Sequence, residues 1–385
     1  MKQKIIDTID QNRALLLDVS HYIHENPELL FEEAKAAERL AHELQQFGFE
    51  VRSGVAGLKT AFRASLRSAK PGPSIAFLAE YDALPEIGHA CGHNIIGAAA
   101  LGAAIGLHNL MDEIPGEIVV FGTPAEEGGG GKIIMVDKGE FSSIDAAMIV
   151  HPSSLTKVEM RALAALPLKM VFRGKPAHAA GSPHEGINAL DALINTFVNI
   201  NALRQHLTSD VRIHGIITKG GTAPNIVPEL AEGSFIIRAA DKKYHEQVVE
   251  KVKNCAKAGA LATGASVEFV TAGLVYDPMK HNFALGEAFR SNLEQLGWQE
   301  SSVEKSGSGS TDMGNVSQVV PSIHPSMAIC DLGIPGHSHE FRDAARSARG
   351  DESLLAASKA MALTAYDLLT QPDLLEQVKR EFAAS

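Results

Sequence analysis

The sequence predicts an α/β protein with a mostly parallel sheet, into which a ferredoxin-like α+β domain is inserted. Over residues 1–165, short apolar strands alternate with helices, which is typical of a layered parallel sheet. Residues 166–275 instead follow the order β-α-β-β-α-β, which is the ferredoxin-like order. The α/β pattern then resumes over residues 276–385. We therefore expect one domain in two parts, 1–165 and 276–385, with the domain 166–275 between them.

The first part begins with helical stretches and continues with short strands. Apolar residues recur at helical spacing over Lys4–His24 and Glu32–Phe47, and Gly48 is a suitable C-cap for the second stretch. Residues His93–Met111 form a helical pattern that is apolar on nearly all sides, which predicts a buried helix. A shorter helical turn is expected at Gly131–Lys138. The predicted strands are Phe49–Arg52, Thr60–Ser65, Ser74–Ala79, Glu117–Phe121 and Ala146–Val150.

The inserted domain and the last part follow from the same patterns. In the insertion, strands are expected at Leu168–Phe172, Val211–Thr218, Ser234–Ala239 and Ser266–Thr271, with helices at Gly186–Leu207 and Tyr244–Leu261. The last part should contain helix Asn282–Leu296, strand Ser326–Cys330 and helix Glu352–Leu369. Gly307–Ser310 is the one run whose composition suggests flexibility.

Composition bounds the compartment and the partners. The 385 residues suit two or three domains, and 45% hydrophobic with 21% charged residues is ordinary for a soluble globular protein. A net charge of -11 argues against nucleic acid or an anionic membrane as partner. The first ten residues lack the apolar core of a signal peptide, and no apolar run is long enough to span a bilayer. Three cysteines are too sparse for a disulfide framework, so we expect a cytoplasmic protein.

Thiol and imidazole side chains follow the apolar strand that ends at Ala79. His89, Cys91 and His93 lie within five residues of one another in this loop. Cysteine and histidine are the ligands that zinc and similar transition metals prefer. A single C-x-H pattern is weak by itself, since it could equally be a buried thiol beside a core histidine. His89 is the less favoured third ligand of this loop.

Two adjacent glutamates, Glu126 and Glu127, follow the next strand. They could be the start of a solvated helix, because acidic side chains favour a helix N-terminus. The four glycines of Gly128–Gly131 make a poor helix start and instead allow a close approach of backbone or substrate. One carboxylate could then bind metal while the other faces a water molecule, as metal-assisted hydrolysis requires.

Two further histidines stand where loops leave the predicted α/β layer. His151 follows a strand and precedes Pro152, and His337 lies in a loop rich in glycine and proline. A core histidine and a surface loop are the alternatives. Because sites in such sheets lie beyond the carboxyl ends of the strands, these residues and the two loops above are expected to meet.

Taken together, these stretches resemble the aminoacylase–carboxypeptidase family of dinuclear metallopeptidases. Within it, the chain is most similar to the amidohydrolase branch that contains aminobenzoyl-glutamate hydrolases, auxin-conjugate hydrolases and aminoacylase-like dipeptidases. The resemblance covers essentially the whole chain. It is carried by Glu80-Tyr-Asp-Ala-Leu-Pro85, His89-Ala-Cys-Gly-His93, Thr123-Pro-Ala-Glu-Glu127, Val150-His-Pro152, Gly174-Lys-Pro-Ala-His-Ala-Ala180, Asn188-Ala-Leu190, Pro224-Asn-Ile-Val-Pro228 and His337-Ser-His-Glu-Phe341.

The resemblance implies a fold and a site. The fold would be a zinc-peptidase-like sheet with helices on both faces, and the inserted domain would be a lid that also forms a homodimer. Glu126 would be the general base, and Asp82 would orient the site. Two divalent ions would be bound by Cys91, His93, Glu127, His151 and His337, with Cys91 as the bridge.

In the lid, His178 would steady the oxyanion, reaching the active site of a partner subunit. Asn225 and Arg238 would hold the carboxylate of the substrate, although Arg238 could instead form a structural ion pair. The chain departs from the family at Glu80, where other branches have the histidine of H-x-D, and at Asn94, where an aspartate is common. The metal, whether Zn, Mn or Co, is therefore left open.

The predicted function is metal-dependent hydrolysis of the amide of an N-acyl amino acid or dipeptide. A metal-activated water would attack, with Glu126 as the base. The alternatives are a cysteine hydrolase that uses Cys91 and His93, and a non-catalytic dimeric binding protein of the same fold. The sequence does not specify the acyl group or the amine.

Overall fold

The computed structural model describes residues 1–303 and 309–384, and the chain divides into two units. The first unit comprises Met1–Arg161, Met279–Ser308 and Asp312–Ser385. The second comprises Ala162–Pro278 and Gly309–Thr311. Gly307 and Ser308, the first half of the run expected to be flexible, lie outside the described residues.

Helices are the most abundant regular elements of the described first unit and cover one face of the sheet in the second. In chain order they are α1 (Lys2–Gln11), α2 (Arg13–Glu25), α3 (Ala34–Gln46), α4 (His93–His108), α5 (Gly131–Asp137), α6 (Ala189–Leu203), α7 (Lys242–Thr263), α8 (Phe283–Gln295), α9 (Met313–Val319), α10 (His339–Ala344), α11 (Ala348–Thr370) and α12 (Pro372–Ala384). Single 3₁₀ turns occur at Val55–Gly57, Pro183–Glu185 and Arg204–His206.

The strands form one sheet in each unit and a separate pair. They are β1 (Glu50–Ser53), β2 (Phe62–Arg67), β3 (Ser74–Ala79), β4 (Glu117–Gly122), β5 (Ala146–Met148), β6 (His151–Ser153), β7 (Ala164–Arg173), β8 (Arg212–Lys219), β9 (Leu230–Ala239), β10 (Ser266–Thr271), β11 (Ser322–Ile323) and β12 (Ser326–Ala328).

The sheet of the first unit has the order β1-β2-β4-β3-β5-β11. The neighbouring strands β4, β3, β5 and β11 are parallel to one another. Strand β2 pairs antiparallel with both β1 and β4. Strand β3 is buried on both faces: Ile75 and Phe77 pack among the helices of the larger core, while Ala76 and Leu78 pack with residues of α5 and α9. The predicted mostly parallel sheet with helices on both faces is therefore confirmed.

The second unit has the predicted ferredoxin-like order. Its sheet, β10-β7-β9-β8, is antiparallel throughout. Alternate residues of β9 are buried, including Phe235 and Ile237, and they pack with apolar residues of α6 and α7. Such alternation is expected of a strand in an antiparallel sheet that has helices packed on one face only.

Several elements differ from the sequence prediction. The stretch Lys4–His24 is two helices, because Asn12 interrupts it and its side chain donates to the Thr8 carbonyl at 2.8 Å. Helix α6 begins at Ala189, three residues after the predicted start at Gly186, because the Asn188 side chain caps it. The sequence analysis did not predict α9, α10, α12 or the two-residue strand β11. None of the described helices combines the length and the hydropathy that a transmembrane span requires.

Candidate metal centre

Loops that leave the sheet of the first unit bring together the five predicted metal ligands. Cys91 Sγ lies 3.4 Å from His151 Nε2, and His337 Nε2 lies 3.1 Å from Glu127 Oε1. His93 Nε2 is 3.9 Å from the same Glu127 oxygen. The ligand atoms form two groups, each with all atoms within 4.8 Å of one another: Cys91, His93 and His151 in one, Cys91, Glu127 and His337 in the other. Cys91 belongs to both groups, so it is the residue that could contribute to two ion sites.

The loop that carries Cys91 requires glycine at position 92. Gly92 has φ +82°, which favours glycine, and a Cβ there would lie 2.5 Å from Pro152 Cγ. This close approach brings the first loop against the chain that follows His151. His151 Nδ1 contacts the Pro152 carbonyl at 2.6 Å, which leaves its Nε2 free to face Cys91.

Asp82 connects the loops of β3 and β4. One of its oxygens accepts from His93 Nδ1 at 3.0 Å, and the other accepts from the backbone N–H of Glu127 at 3.0 Å. Burial alone would raise the pKa of Asp82, but attraction to His93 lowers it to about 2. An ionised carboxylate on Nδ1 orients the imidazole so that Nε2 points to the other ligands, which is the orienting role predicted for Asp82.

Strained backbone carries two of the loops. Ala125, immediately before Glu126, has φ 60°, and His337 has φ 61°. The buried Glu33 holds the first of these loops, because its Oε1 accepts from the Ala125 N–H at 2.9 Å while Thr60 donates to its Oε2. Backbone strain of this kind persists where the surrounding structure enforces it, as at functional sites.

Behind the ligands lies an ionic cluster that was not predicted from the sequence, in which Lys132, Glu80 and Asp312 are fully buried and Glu126 is partly buried. Lys132 Nζ is 2.7 Å from both Glu80 Oε1 and Asp312 Oδ1. The carboxylates of Glu80, Asp312 and Glu126 lie within 4.8 Å of one another. Burial and the negative charges of Glu80 and Asp312 raise the pKa of Glu126 well above its usual value. Burial would also raise the pKa of Glu80, but the Lys132 ammonium and His93 lower it to about 2.

The donor atoms fit divalent ions. His93 Nε2 is buried and has no hydrogen-bond partner among the described residues, and the buried Glu127 Oε1 faces His337 Nε2 at 3.1 Å. Burial raises the pKa of the Cys91 thiol, and Cys91 and Asp82 raise that of His93 against the opposing effect of burial. Since metal ligation needs thiolate and neutral imidazole, a bound cation would displace these protons. A sulfur, three imidazoles and a carboxylate are a ligand set for zinc or a similar ion.

Three predicted site residues lie in the second unit. His178 and Asn225 are neighbours there, since the Ala179 N–H donates to the Asn225 carbonyl at 3.0 Å, and both are exposed. Arg238 is on β9, where its Nη1 donates to Ser310 Oγ at 2.7 Å. Within the part of the chain that the structure describes, no carboxylate forms an ion pair with Arg238, so the structural ion pair considered above is not found.

His324 is a further histidine that the sequence analysis did not single out. It is 2% exposed, its ring centroid is 5.6 Å from that of His151, and neither ring nitrogen has a partner among the described residues. A local signal was the repeated order of an apolar residue, histidine and proline, since Ile323-His324-Pro325 matches Val150-His151-Pro152. His89, by contrast, is buried against His24 and belongs to neither of the two ligand groups.

The local chemistry argues against the predicted alternative of a cysteine nucleophile. A nucleophilic cysteine needs a lowered pKa, whereas burial raises the pKa of Cys91 here. Its sulfur also lies within 4.8 Å of ligand atoms of four other candidate metal ligands, His93 and His151 in one group and Glu127 and His337 in the other. The geometry therefore favours metal ligation over nucleophilic attack.

Comparison with known proteins identifies the family. A family model described as "Peptidase family M20/M25/M40" matches residues 76–367. The chain is 38% identical to the Xaa-Arg dipeptidase of Mus musculus, over 99% of this chain and 92% of that protein. It is 30% identical to one of the subunits of the p-aminobenzoyl-glutamate hydrolase of Escherichia coli, over 98% of this chain and 94% of that protein.

Solved structures agree on the fold. A dinuclear metal-binding peptidase of the M20 family from Bacillus subtilis superposes with a TM-score of 0.75 at 22% identity, covering 94% of this chain and 99% of that one. An aminobenzoyl-glutamate utilization protein from Klebsiella pneumoniae gives a TM-score of 0.72 at 19% identity, covering 95% and 98%. The family match spans most of the sequence, and each superposition covers more than nine-tenths of the chain. The chain therefore belongs to peptidase family M20/M25/M40.

Proposed function

We propose that this protein hydrolyses the amide bond of an N-acyl amino acid or a dipeptide at a dinuclear metal centre. Family membership and the two relatives confirm the broader class, a metal-dependent hydrolase acting on amide or peptide bonds. The observation that carries the proposal is the pair of ligand groups that share Cys91 beside Glu126. The Xaa-Arg dipeptidase and the aminobenzoyl-glutamate hydrolase both act, by their names, on an amino acid joined through an amide, which supports this substrate class.

The metal ligands we propose are the two groups described above. Cys91, His93 and His151 would hold one ion, and Cys91, Glu127 and His337 the other, each ion being Zn, Mn or Co. When bound, such ions supply a lowered pKa for the attacking water and polarise the scissile carbonyl. Asp82 keeps His93 in the tautomer that ligation needs.

Glu126 is proposed as the general base and then the general acid. It is adjacent in sequence to the ligand Glu127, yet its carboxylate belongs with His93 and Glu127 in one group and with Glu80 and Asp312 in another. A raised pKa suits a group that must first accept a proton from water and then deliver it to the leaving amine. Such positioned proton transfer contributes roughly two to four orders of magnitude in rate.

His178 is proposed to steady the oxyanion, and its local structure supports this role. The backbone N–H groups of Ala180 and Gly181 both donate to His178 Nδ1, at 3.2 and 3.0 Å. Nδ1 is therefore an acceptor, which leaves Nε2 as the ring nitrogen that can donate. A preset N–H donor is what stabilisation of a developing negative oxygen requires. We propose that His178 serves the active site of a partner subunit.

Asn225 and Arg238 are proposed to bind the substrate carboxylate. Arg238 is half-buried, and burial lowers its pKa because no carboxylate of the described residues compensates its charge. One guanidinium nitrogen of Arg238 donates to Ser310, and the other N–H groups remain available as donors to a carboxylate.

We further propose a homodimer formed through the second unit, in the cytoplasm. Strand β8 is at the edge of its sheet, where unpaired backbone groups are available for another chain. Ile216 on this strand is 65% exposed and Val198 on α6 is 59% exposed. The three cysteines are free thiols, in keeping with a reducing compartment.

A substrate screen tests the proposed function. Purified protein is stripped of metal, reloaded separately with Mn, Zn or Co, and assayed on N-acyl amino acids, aminobenzoyl-glutamate and β-alanyl dipeptides. We expect hydrolysis of at least one class, lost on chelation and restored by metal. Activity that survives complete chelation would support the cysteine hydrolase instead, and no hydrolysis by a fully loaded protein would reject the proposal.

A further inference from the structure

Glu80 occupies a position between the buried lysine and a metal-ligand histidine. The side chain follows β3 and is fully buried. Its Oε1 lies 2.7 Å from Lys132 Nζ, and its Oε2 lies 3.5 Å from His93 Nε2. Neither Glu80 Oε2 nor His93 Nε2 has a hydrogen-bond partner within residues 1–303 and 309–384. Two buried, unpartnered ligand-type atoms therefore face each other.

The charges around Lys132 do not balance. Lys132 is paired with Asp312 through both its side chain and its backbone N–H, at 2.7 and 3.0 Å. That pair is already neutral, so the Glu80 carboxylate adds a surplus negative charge to a site with no solvent exposure. Burying an uncompensated charge is costly unless a cation is close. Lys132 restrains one oxygen of Glu80 and leaves the other directed towards the metal ligands.

The separation of the two unpartnered atoms is that of two ligands on one ion. Nitrogen and oxygen ligands lie about 2.0–2.2 Å from zinc, so two of them at a tetrahedral angle are about 3.4 Å apart. The observed distance is 3.5 Å. His93 Nδ1 is already engaged by Asp82, so Nε2 is the nitrogen that faces an ion.

We propose that Glu80 is a direct carboxylate ligand of the ion that His93 holds, with Lys132 as the positioning residue that sets its orientation. This inference rests on the dinuclear centre proposed above and adds a ligand to it. A carboxylate is a harder ligand than imidazole or thiolate, so it makes this position better suited to Mn²⁺ than the sulfur and nitrogen ligands alone would be.

The alternative is that Glu80 acts only through its charge, as a counter-ion for Lys132. Asp312 provides a matched control, because it is equally buried and equally close to Lys132. The experiment compares wild type, Glu80→Gln, Glu80→Asp and Asp312→Asn in the full chain. Circular dichroism and thermal melting establish which variants are folded, and the bound ions per chain are measured by mass spectrometry at controlled free Mn²⁺ and Zn²⁺.

We expect two ions in wild type and in Asp312→Asn. In Glu80→Gln, one of the two ions should bind at least tenfold more weakly, and the rise in melting temperature on adding Mn²⁺ should shrink. Glu80→Asp keeps the charge but retracts the oxygen, so it should weaken the same ion. In the Co²⁺-loaded proteins, the visible spectrum should change for the Glu80 variants alone.

The proposal is overturned if Glu80→Asp binds metal as wild type does, because charge alone would then suffice. It is equally overturned if Asp312→Asn and Glu80→Gln weaken binding to the same extent. Wild type that binds two ions but hydrolyses no amide would reject the proposed function and leave these metal measurements decisive for Glu80.

Discussion

The substitution Glu126→Gln tests two separate effects of one carboxylate, its effect on the catalytic rate and its effect on the stability of the metal-free protein. The carboxylate of Glu126 lies within 4.8 Å of those of Glu80 and Asp312, with the single ammonium of Lys132 among them. Glutamine keeps the size of the side chain and removes both the negative charge and the basic oxygen. If Glu126 is the base, the variant should have a lower kcat than wild type. If the neighbouring carboxylates repel Glu126, the metal-free variant should be more stable than the metal-free wild type.

The two magnitudes follow from the geometry. Loss of a positioned base costs roughly two to four orders of magnitude in kcat, about 3–5 kcal/mol of barrier at about 1.4 kcal/mol per factor of ten. Two carboxylates at this separation repel by about 3 kcal/mol at an effective dielectric constant of about 20. Attraction of Glu126 to Lys132 offsets much of this repulsion. We therefore expect the metal-free variant to be stabilised by on the order of 1 kcal/mol.

Glu127→Gln is the matched control, because it changes the adjacent glutamate in the same way. Glu127 lies 3.1 Å from His337, and its side chain belongs to a ligand group. Its replacement should lower the number of bound ions, whereas Glu126→Gln should keep both. Turnover, bound metal and the melting temperature of the metal-free protein are measured for both variants. Turnover of Glu126→Gln within tenfold of wild type, or loss of its metal, would refute the reasoning.

Three other predictions address the ligands, the lid and the dimer. As the pH falls, protons compete with metal at His93, whose pKa is raised, so bound metal and activity should decline together; activity that vanishes with metal fully retained would contradict this. Arg238→Ala should raise KM for substrates with a free α-carboxylate more than for their amides, and an equal effect on both would remove the assignment. Val198→Asp should halve the mass seen by light scattering, whereas Leu261→Asp, which changes the 83% exposed residue of α7, should leave it unchanged; an undiminished mass for Val198→Asp would argue against this interface.

Local periodicity predicted the elements whose pattern extends over several residues. Strands Ser74–Ala79 and Ser266–Thr271 have the bounds that the sequence predicts, since each is a short run with clear ends. Strand β11 has two residues and carries no period to detect. Helix α12 was missed although the sequence carries a signal for it. Pro372 stands at its first position, where proline is favoured.

The five candidate metal ligands were predictable as residue types but not as an arrangement. Cysteine, histidine and glutamate at strand ends indicate a metal because the fold brings those ends together. The shared position of Cys91 between two groups was an implication of the family resemblance, since no local pattern specifies a bridge. The pairing of Lys132 with Asp312 joins residues 180 positions apart, and neither residue is unusual in its own segment.

The cluster around Lys132 adds ionisable groups to this site that the sequence pattern does not reveal. A core normally excludes ionisable groups, or pairs each with one partner, because an isolated buried charge is unfavourable. Here Glu80, Glu126 and Asp312 surround one lysine, next to a glutamate and a thiol that also need a cation. Stability alone does not favour such an excess of negative charge, so its retention requires a compensating function. Divalent ions held by the proposed ligands would provide that compensation, with Glu126 as the proposed base and Glu80 as a proposed ligand.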